Sequence, residues 1–312
     1  MCIKERNASD STCKKLLRDK GCFADLCNYA FFHGRQVIQP EELVSRENDL
    51  STLIGKVDKP TEIKRYRDVV RKASIHGEYV IIGVEHQSTF DEKMIFRILN
   101  YDATIYINQV ESKQEIYPVG SFVFYTGDKE WKSPETLKET LKNIPPEMEP
   151  YINDWRLPVV ELKTMDARKL TNQRLKEVVE ISQSMFAGSY DDLRNDRKIE
   201  TENFMMAATF TRTKIKREDL PEGDEINMCE AMDRLFQRLR NEGEVLGLEK
   251  GETIGMEKGK SDTLKDLLKV KLGTLSRPLE KQLTNTSLEK LNELTLNIFN
   301  VTNEEDVLRI IN

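Results

Sequence analysis

The residues best suited to chemistry are an acid and an amide that close a long apolar run. The run begins at Tyr79 and leads into residues 83–88 (GVEHQS). Because side chains alternate along a strand, Glu85 and Gln87 share one face and His86 points to the other. A carboxylate at the end of a buried strand is costly unless it is paired or binds a cation. The pattern therefore suggests a metal site built from carboxylates.

A second carboxylate, Asp68, lies within the basic stretch 64–72 (KRYRDVVRK). The segments on either side of His76-Gly77 resemble two strands of a hairpin, and the second strand returns to where the first began. We therefore expect Asp68 and Glu85 to meet and to bind one divalent cation, Mg²⁺ or Mn²⁺, with water in the remaining positions. Such an ion activates water and neutralises a phosphate under attack, and Gln87 would lie within reach of either.

Further candidates surround this pair. Asp25, on the first predicted helix, is a possible third metal ligand, and the basic stretch beside the acids reads as a phosphate-holding edge. Each candidate also has a purely structural interpretation. Asp68 could pair with neighbouring arginines on a solvated surface, and His86 could simply make a buried hydrogen bond.

Composition limits the class of protein. The 312 residues carry a net charge of -6, so any nucleic-acid contact must come from a local basic patch. No apolar run approaches the ~20 residues of a membrane span, and no apolar stretch follows the basic N-terminus as in a secretory signal. Five cysteines without a CxxC pair, together with three histidines, argue against structural zinc and favour a reducing cytoplasm.

The predicted strands cluster in the first half of the chain, and from about Leu170 onward the pattern becomes helical. We expect an α/β core over 1–165, a helical extension over 166–240, a glycine-repeat helix or tether over 241–275, and a small helix pair over 276–312. The core should contain a mixed central sheet flanked by helices.

Glycine recurs at every fourth position in the third of these segments. Residues 246–253 (LGLEKGET) are followed by a similar segment, residues 254–261 (IGMEKGKS). As a helix, the five glycines from Gly243 to Gly259 cost roughly 4–5 kcal/mol relative to alanine. Either a partner helix packs along them, which would make the protein a homo-oligomer through its C-terminal helices, or the segment is a mobile tether.

The chain resembles the recombination-promoting nuclease / putative transposase family of bacteria, a branch of the PD-(D/E)XK phosphodiesterase superfamily. The resemblance runs from about residue 22 to 260 and is carried by segments 23–29 (FADLCNY), 67–69 (RDV), 84–88 (VEHQS), 96–101 (FRILNY), 123–127 (VFYTG), 153–156 (NDWR) and 227–231 (NMCEA). It implies a restriction-endonuclease-like core and metal-dependent cleavage of DNA with little sequence preference, in recombination, mobile-element or defence roles.

By this resemblance Asp68 and Glu85 take the two motif acids, and Gln87 stands where most of the superfamily carries lysine. An amide orients water but brings no positive charge, so nearby cations must help. The candidates for phosphate or DNA contact are Arg67, Arg71, Lys72 and Arg97, although Arg97 could instead brace Glu85. The glutamine and the negative net charge leave an alternative open, a catalytically inactive DNA-binding or oligomeric assembly protein that keeps the nuclease fold.

Overall fold

The computed structural model describes residues 3–44, 69–113 and 115–311. The chain divides into two compact units, Met1–Arg234 and Leu235–Asn312. Across the described ranges, no helix combines the length and the apolar character needed to cross a membrane.

A four-stranded mixed sheet forms the centre of the first unit. Its strands are β1 (Val69–Ile75), β2 (Glu78–Gln87), β3 (Val119–Tyr125) and β4 (Val159–Glu161), in the order β1-β2-β3-β4. The β1–β2 pair is antiparallel, and the other two pairs are parallel. His76 and Gly77 join β1 to β2, and both have positive φ (54° and 89°), as a tight two-residue hairpin turn requires. The predicted hairpin is therefore confirmed.

Helices cover both faces of this sheet. In the first unit they are α1 (Ile3–Arg18), α2 (Lys20–Phe32), α3 (Met94–Glu111), the short α4 (Leu137–Thr140), α5 (Gln173–Ala187) and α6 (Thr201–Thr211). Helix α7 (Met228–Leu272) begins in the first unit and ends in the second. An α/β core with a mixed sheet, followed by a long helical region, confirms the predicted fold class.

The two faces of the sheet pack against different helices. Even-numbered residues of β2, such as Ile82 and Val84, join the main apolar core with side chains from α1, α2, α5 and α6. On the opposite face, Val123 and Tyr125 of β3 pack against residues of α3. Strand parity then places Glu85 and Gln87 on the α3 side of the sheet and His86 on the α1 side.

Several element boundaries differ from the sequence predictions. Ser88 and Thr89 are residue types that cap helices, so the sequence predicts a helix that starts there, but residues 88–93 form a loop and the helix begins at Met94. The first predicted helix is interrupted at Asp19, whose extended backbone and side chain cap the start of α2. The region predicted to be all-helical contains a small antiparallel pair, β5 (Lys198–Glu200) and β6 (Glu225–Asn227).

The second unit has its own apolar core. The end of α7 packs there with α8 (Arg277–Thr284), α9 (Leu288–Leu296) and α10 (Glu304–Ile311). The sequence pattern predicts only the last two of these helices, as a pair, and does not reveal α8. This helix has only eight residues, with Pro278 in its first turn, and its apolar stripe consists of Leu279 and Leu283. So short a stripe does not predict a helix until the core that buries it is known.

Candidate functional site

Glu85 and Gln87 end the central strand β2 as buried polar side chains. Each is only 5% exposed, and both follow an apolar stretch of the same strand. The amide Nε2 of Gln87 donates to Oε1 of Glu85 over 3.3 Å. This contact directs the amide oxygen of Gln87 away from the carboxylate. The strand end thus presents a carboxylate next to an amide whose oxygen points away from it.

Arg97, from the first turns of α3, reaches back to this strand end. Its Nη2 forms an ion pair with Oε1 of Glu85, and its Nη1 lies 3.3 Å from Oδ2 of Asp91. The Arg97 side chain is 31% exposed, so the guanidinium lies between the buried carboxylate and solvent. This ion pair is the contact expected if Arg97 braces Glu85, and it leaves the alternative of phosphate contact open.

Tyr125 provides the neighbouring wall of the site. It pairs with Gln87 in the β2–β3 register and is 1% exposed. Burial is the main cause that raises the pKa of its hydroxyl, with smaller contributions from Asp128 and Glu161, so the phenol stays neutral. A side chain on Gly127 would collide with this phenol, and glycine at that position therefore lets the ring fill its place.

His86 lies on the other face of the sheet, as strand parity predicts. Its Nδ1 lies 2.9 Å from Oδ1 of Asp10 in α1, and its Nε2 lies 2.9 Å from Oγ1 of Thr126. The ring is fully buried beside Phe124 and Phe210. These contacts tie α1 and the end of β3 to β2, which is a structural function.

Asp25 has contacts unlike those expected of a metal ligand. It is 2% exposed, and its carboxylate accepts hydrogen bonds from Gln36 Nε2 and from the backbone N–H groups of Thr171 and Asn172, at 2.8–2.9 Å. The hydroxyl of Thr171 donates as well, over 3.1 Å. Because Thr171 and Asn172 lie in the loop before α5, these hydrogen bonds fasten that loop to α2, the helix that carries Asp25. The predicted metal role of Asp25 gains no support from these contacts.

The predicted phosphate-holding edge does not form from Arg71 and Lys72 together, because adjacent strand residues point to opposite faces. Arg71 donates to the carbonyls of Leu17 and Arg18 (3.0 and 2.9 Å), where it satisfies the C-terminal end of α1.

Lys72 shares a sheet face with Glu85, but the two lie far apart. The ammonium of Lys72 lies 4.0 and 3.7 Å from the ring centres of Tyr79 and Tyr117. Lys72 pairs with Ile81, four residues before Glu85 along β2, and four strand residues span about 13 Å. A phosphate beside Glu85 would therefore be out of its reach.

Two of the predicted site residues, Asp68 and Arg67, lie outside the described residues. Within residues 3–44, 69–113 and 115–311, no group of three or more His, Cys, Asp or Glu side chains is spaced to hold a metal ion. The carboxylate of Glu85 and the amide oxygen of Gln87 are nevertheless the types of ligand that Mg²⁺ and Mn²⁺ prefer.

Two acids of this region were missed in the sequence. Asp91 shares Arg97 with Glu85, and it lies in the loop that was read as a helical turn. Asp102 is 1% exposed within α3, where Ser121 Oγ donates to it over 2.6 Å. Asp102 follows Ile98 by four residues in the apolar stripe of its helix, and a charge within such a stripe is the signal that could have revealed it.

Comparison with known protein families finds a match that covers about half of the chain. The family described as "Putative transposase, YhgA-like" matches residues 61–212. The match covers 152 of the 312 residues, and over these residues the chain is similar to this family. The matched segment contains β1 through α6, and therefore Glu85, Gln87 and Arg97. Comparisons with curated proteins and with solved structures gave no match.

Proposed function

We propose that this protein is a divalent-metal-dependent DNA endonuclease with little sequence preference, acting in recombination, mobile-element movement or defence. The observation that carries the proposal is the buried pair Glu85 and Gln87, held by Arg97 at the end of the central strand. Buried polar groups of this kind are costly to fold and are concentrated at functional sites. The transposase name of the matching family supports DNA as the substrate.

Asp68 is the proposed second carboxylate. It directly precedes Val69, and Val69 pairs with Val84, the neighbour of Glu85. If the antiparallel pairing continued by one residue, position 68 would stand opposite position 85. A divalent cation bound by these two acids would polarise the scissile phosphate and lower the pKa of a bound water.

The protein's own residues would perform the remaining tasks. Arg97 holds the Glu85 carboxylate in one orientation, because its guanidinium is itself fixed by Asp91. The amide of Gln87 is placed to orient a water or a phosphate oxygen by hydrogen bonding, but it cannot supply charge. Arg97 is the cation closest to Glu85 among the contacts described above, and its partly exposed guanidinium can approach an incoming phosphate.

A plasmid-nicking assay with Mg²⁺ or Mn²⁺, with and without a chelator, tests the proposal. We expect cleavage by the full-length protein that the chelator abolishes and that is lost in Asp68→Asn and Glu85→Gln. Glu78→Gln is a matched control, because Glu78 is an exposed glutamate at the other end of β2. Cleavage that survives in Glu85→Gln would show that the site is wrong.

The second candidate is a DNA-binding or assembly protein that has lost cleavage. The amide at position 87 and the net charge of -6 favour it, because both weaken charge neutralisation of a phosphate. Folded protein that binds plasmid DNA in a mobility-shift assay, yet nicks none of it with either metal, would establish this alternative.

A further inference from the structure

One face of α7 is exposed although its residue types are suited to packing against another helix. The five glycines Gly243, Gly247, Gly251, Gly255 and Gly259 all lie within this helix, and a Cβ added to any of them would meet no atom within 4 Å. Leu248 and Ile254 are 68% and 64% exposed. Nothing within the described residues therefore uses this surface, although glycine weakens the helix that carries it.

The residues of this face are symmetric about Gly251. At 100° per residue, Leu248 and Ile254 lie about 60° to either side of Gly251, and Glu244 and Lys258 lie about 20° to either side. Gly247 and Gly255 flank the centre as a second matched pair. We define these seven residues, 244, 247, 248, 251, 254, 255 and 258, as the glycine face.

Antiparallel pairing of two copies of the glycine face matches every position with a suitable partner. About a two-fold axis at Gly251, Gly247 of one copy lies level with Gly255 of the other, and Leu248 and Ile254 lie level with each other on the two sides of the contact. Glu244 of each copy meets Lys258 of the other, at both ends of the contact. Parallel pairing would instead set Glu244 against Glu244 and Lys258 against Lys258. The charges therefore favour the antiparallel arrangement.

The glycines explain how two such helices approach. A four-residue spacing follows one ridge of the helix surface, and packing such ridges together brings the helices closest at one crossing point. Absent side chains at that point let the backbones approach closely. A two-fold contact of this kind uses the same surface on both copies and closes after two chains.

We propose that α7 pairs with α7 of a second copy of this chain, antiparallel and centred on Gly251. The pairing concerns a different unit from Glu85 and Gln87, and it stands or falls independently of the proposed nuclease activity. It specifies the register and direction of the self-association that the glycine repeat predicts.

Sedimentation velocity of the full-length protein over a range of concentrations tests the pairing. We expect a dimer, twice 36.2 kDa. Glu244→Lys should weaken it at least about fivefold, because both ends of the contact then face like charges. Adding Lys258→Glu to this variant should restore the dimer, since the opposite charges meet again. Parallel pairing predicts no loss from Glu244→Lys and no recovery.

Glu249→Lys is the matched control, since Glu249 is an exposed glutamate of the same helix about 160° away from Gly251. It should leave dimerisation unchanged. Gly251→Leu should give a monomer with undiminished helix content by circular dichroism, because leucine favours helix but blocks the close approach. A monomeric wild-type protein, equal effects of Glu244→Lys and Glu249→Lys, or a dimer that survives Gly251→Leu would overturn the proposal.

Discussion

The two faces of β2 use neighbouring residues for different purposes. On the α3 side, Glu85 and Gln87 contact each other and a partly exposed Arg97. On the α1 side, His86 is fully enclosed by Asp10, Thr126 and aromatic rings. On both faces the buried group contacts a side chain that also reaches solvent, because Arg97 is 31% exposed and Asp10 is 32% exposed. The faces differ in the groups that they present: a carboxylate and an amide, which a hard divalent cation prefers, on the α3 side, and an imidazole with both nitrogens in hydrogen bonds on the α1 side. Burial next to solvent therefore does not mark a site by itself, whereas the types of the buried groups do.

The largest expected effect on cleavage is that of Glu85→Gln. Removing a ligand should cost more than the ~10–100-fold typical of residues that merely orient ligands, so we expect a loss of about 100-fold or more. Nicking rates with Mg²⁺ measure this, beside Glu78→Gln from the same strand. Equal rates in the two variants would remove Glu85 from the mechanism and erase the contrast between the faces.

Arg97→Met should come next, with about a 10–100-fold loss of cleavage, because Glu85 loses the group that orients it. The free energy of unfolding should also fall by about 2 kcal/mol, as for a lost hydrogen bond to a charged group. Arg71→Met is the comparison from the α1 side. Since Arg71 lies on the α1 face and donates to the backbone carbonyls of Leu17 and Arg18, its loss should lower stability, measured by urea denaturation, without slowing cleavage. Equal effects of the two variants on cleavage would contradict a special role for Arg97.

Gln87→Leu should lower cleavage about tenfold, because a positioned hydrogen bond to water or phosphate is lost while the buried volume is kept. Gln87→Lys should preserve cleavage, since an ammonium beside Glu85 supplies a donor and a charge. Steady-state nicking kinetics distinguish the two. A Leu variant as active as the wild-type protein would reduce Gln87 to a packing residue.

His86→Ala should have the smallest effect on cleavage and a large effect on stability. Deleting a fully buried ring leaves a cavity and an abandoned Asp10 carboxylate, and we expect a loss of about 2–4 kcal/mol in unfolding free energy. Cleavage per folded molecule, measured well below the melting temperature, should stay within about threefold. A loss as great as that of Glu85→Gln would show that both faces contribute to the chemistry.

The sequence predicted the hairpin and the face of each polar residue on β2, because strand alternation is a local rule that the backbone enforces. It also predicted an α/β core followed by helices. It failed at boundaries set by contacts of single side chains, which the apolar periodicity does not show. The loop 88–93 replaces a predicted helical turn, and α2 is a separate helix because Asp19 caps it.

The site was only partly predictable for the same reason. Strand alternation placed Glu85 and Gln87 on one face, and the family resemblance suggested Arg97. Neither indicated that Asp25 would fasten the loop at Thr171, which is 146 residues away in the sequence. Nor did either show that Arg71 would bond the end of α1. Such partners are selected by long-range packing, and a basic stretch in the sequence cannot distinguish them from a DNA-binding edge.

The sequence by itself determined the spacing of apolar residues in each helix and strand, the face of the strand on which each polar residue lies, and the four-residue spacing of glycines in α7. Tertiary structure alone decided which charges meet, because the partner of a buried charge comes from whichever segment packs over it. Arg97 forms ion pairs with Glu85 and Asp91 because the start of α3 lies beside the end of β2. Lys72 contacts two tyrosine rings instead, because it lies toward the far end of the same sheet face.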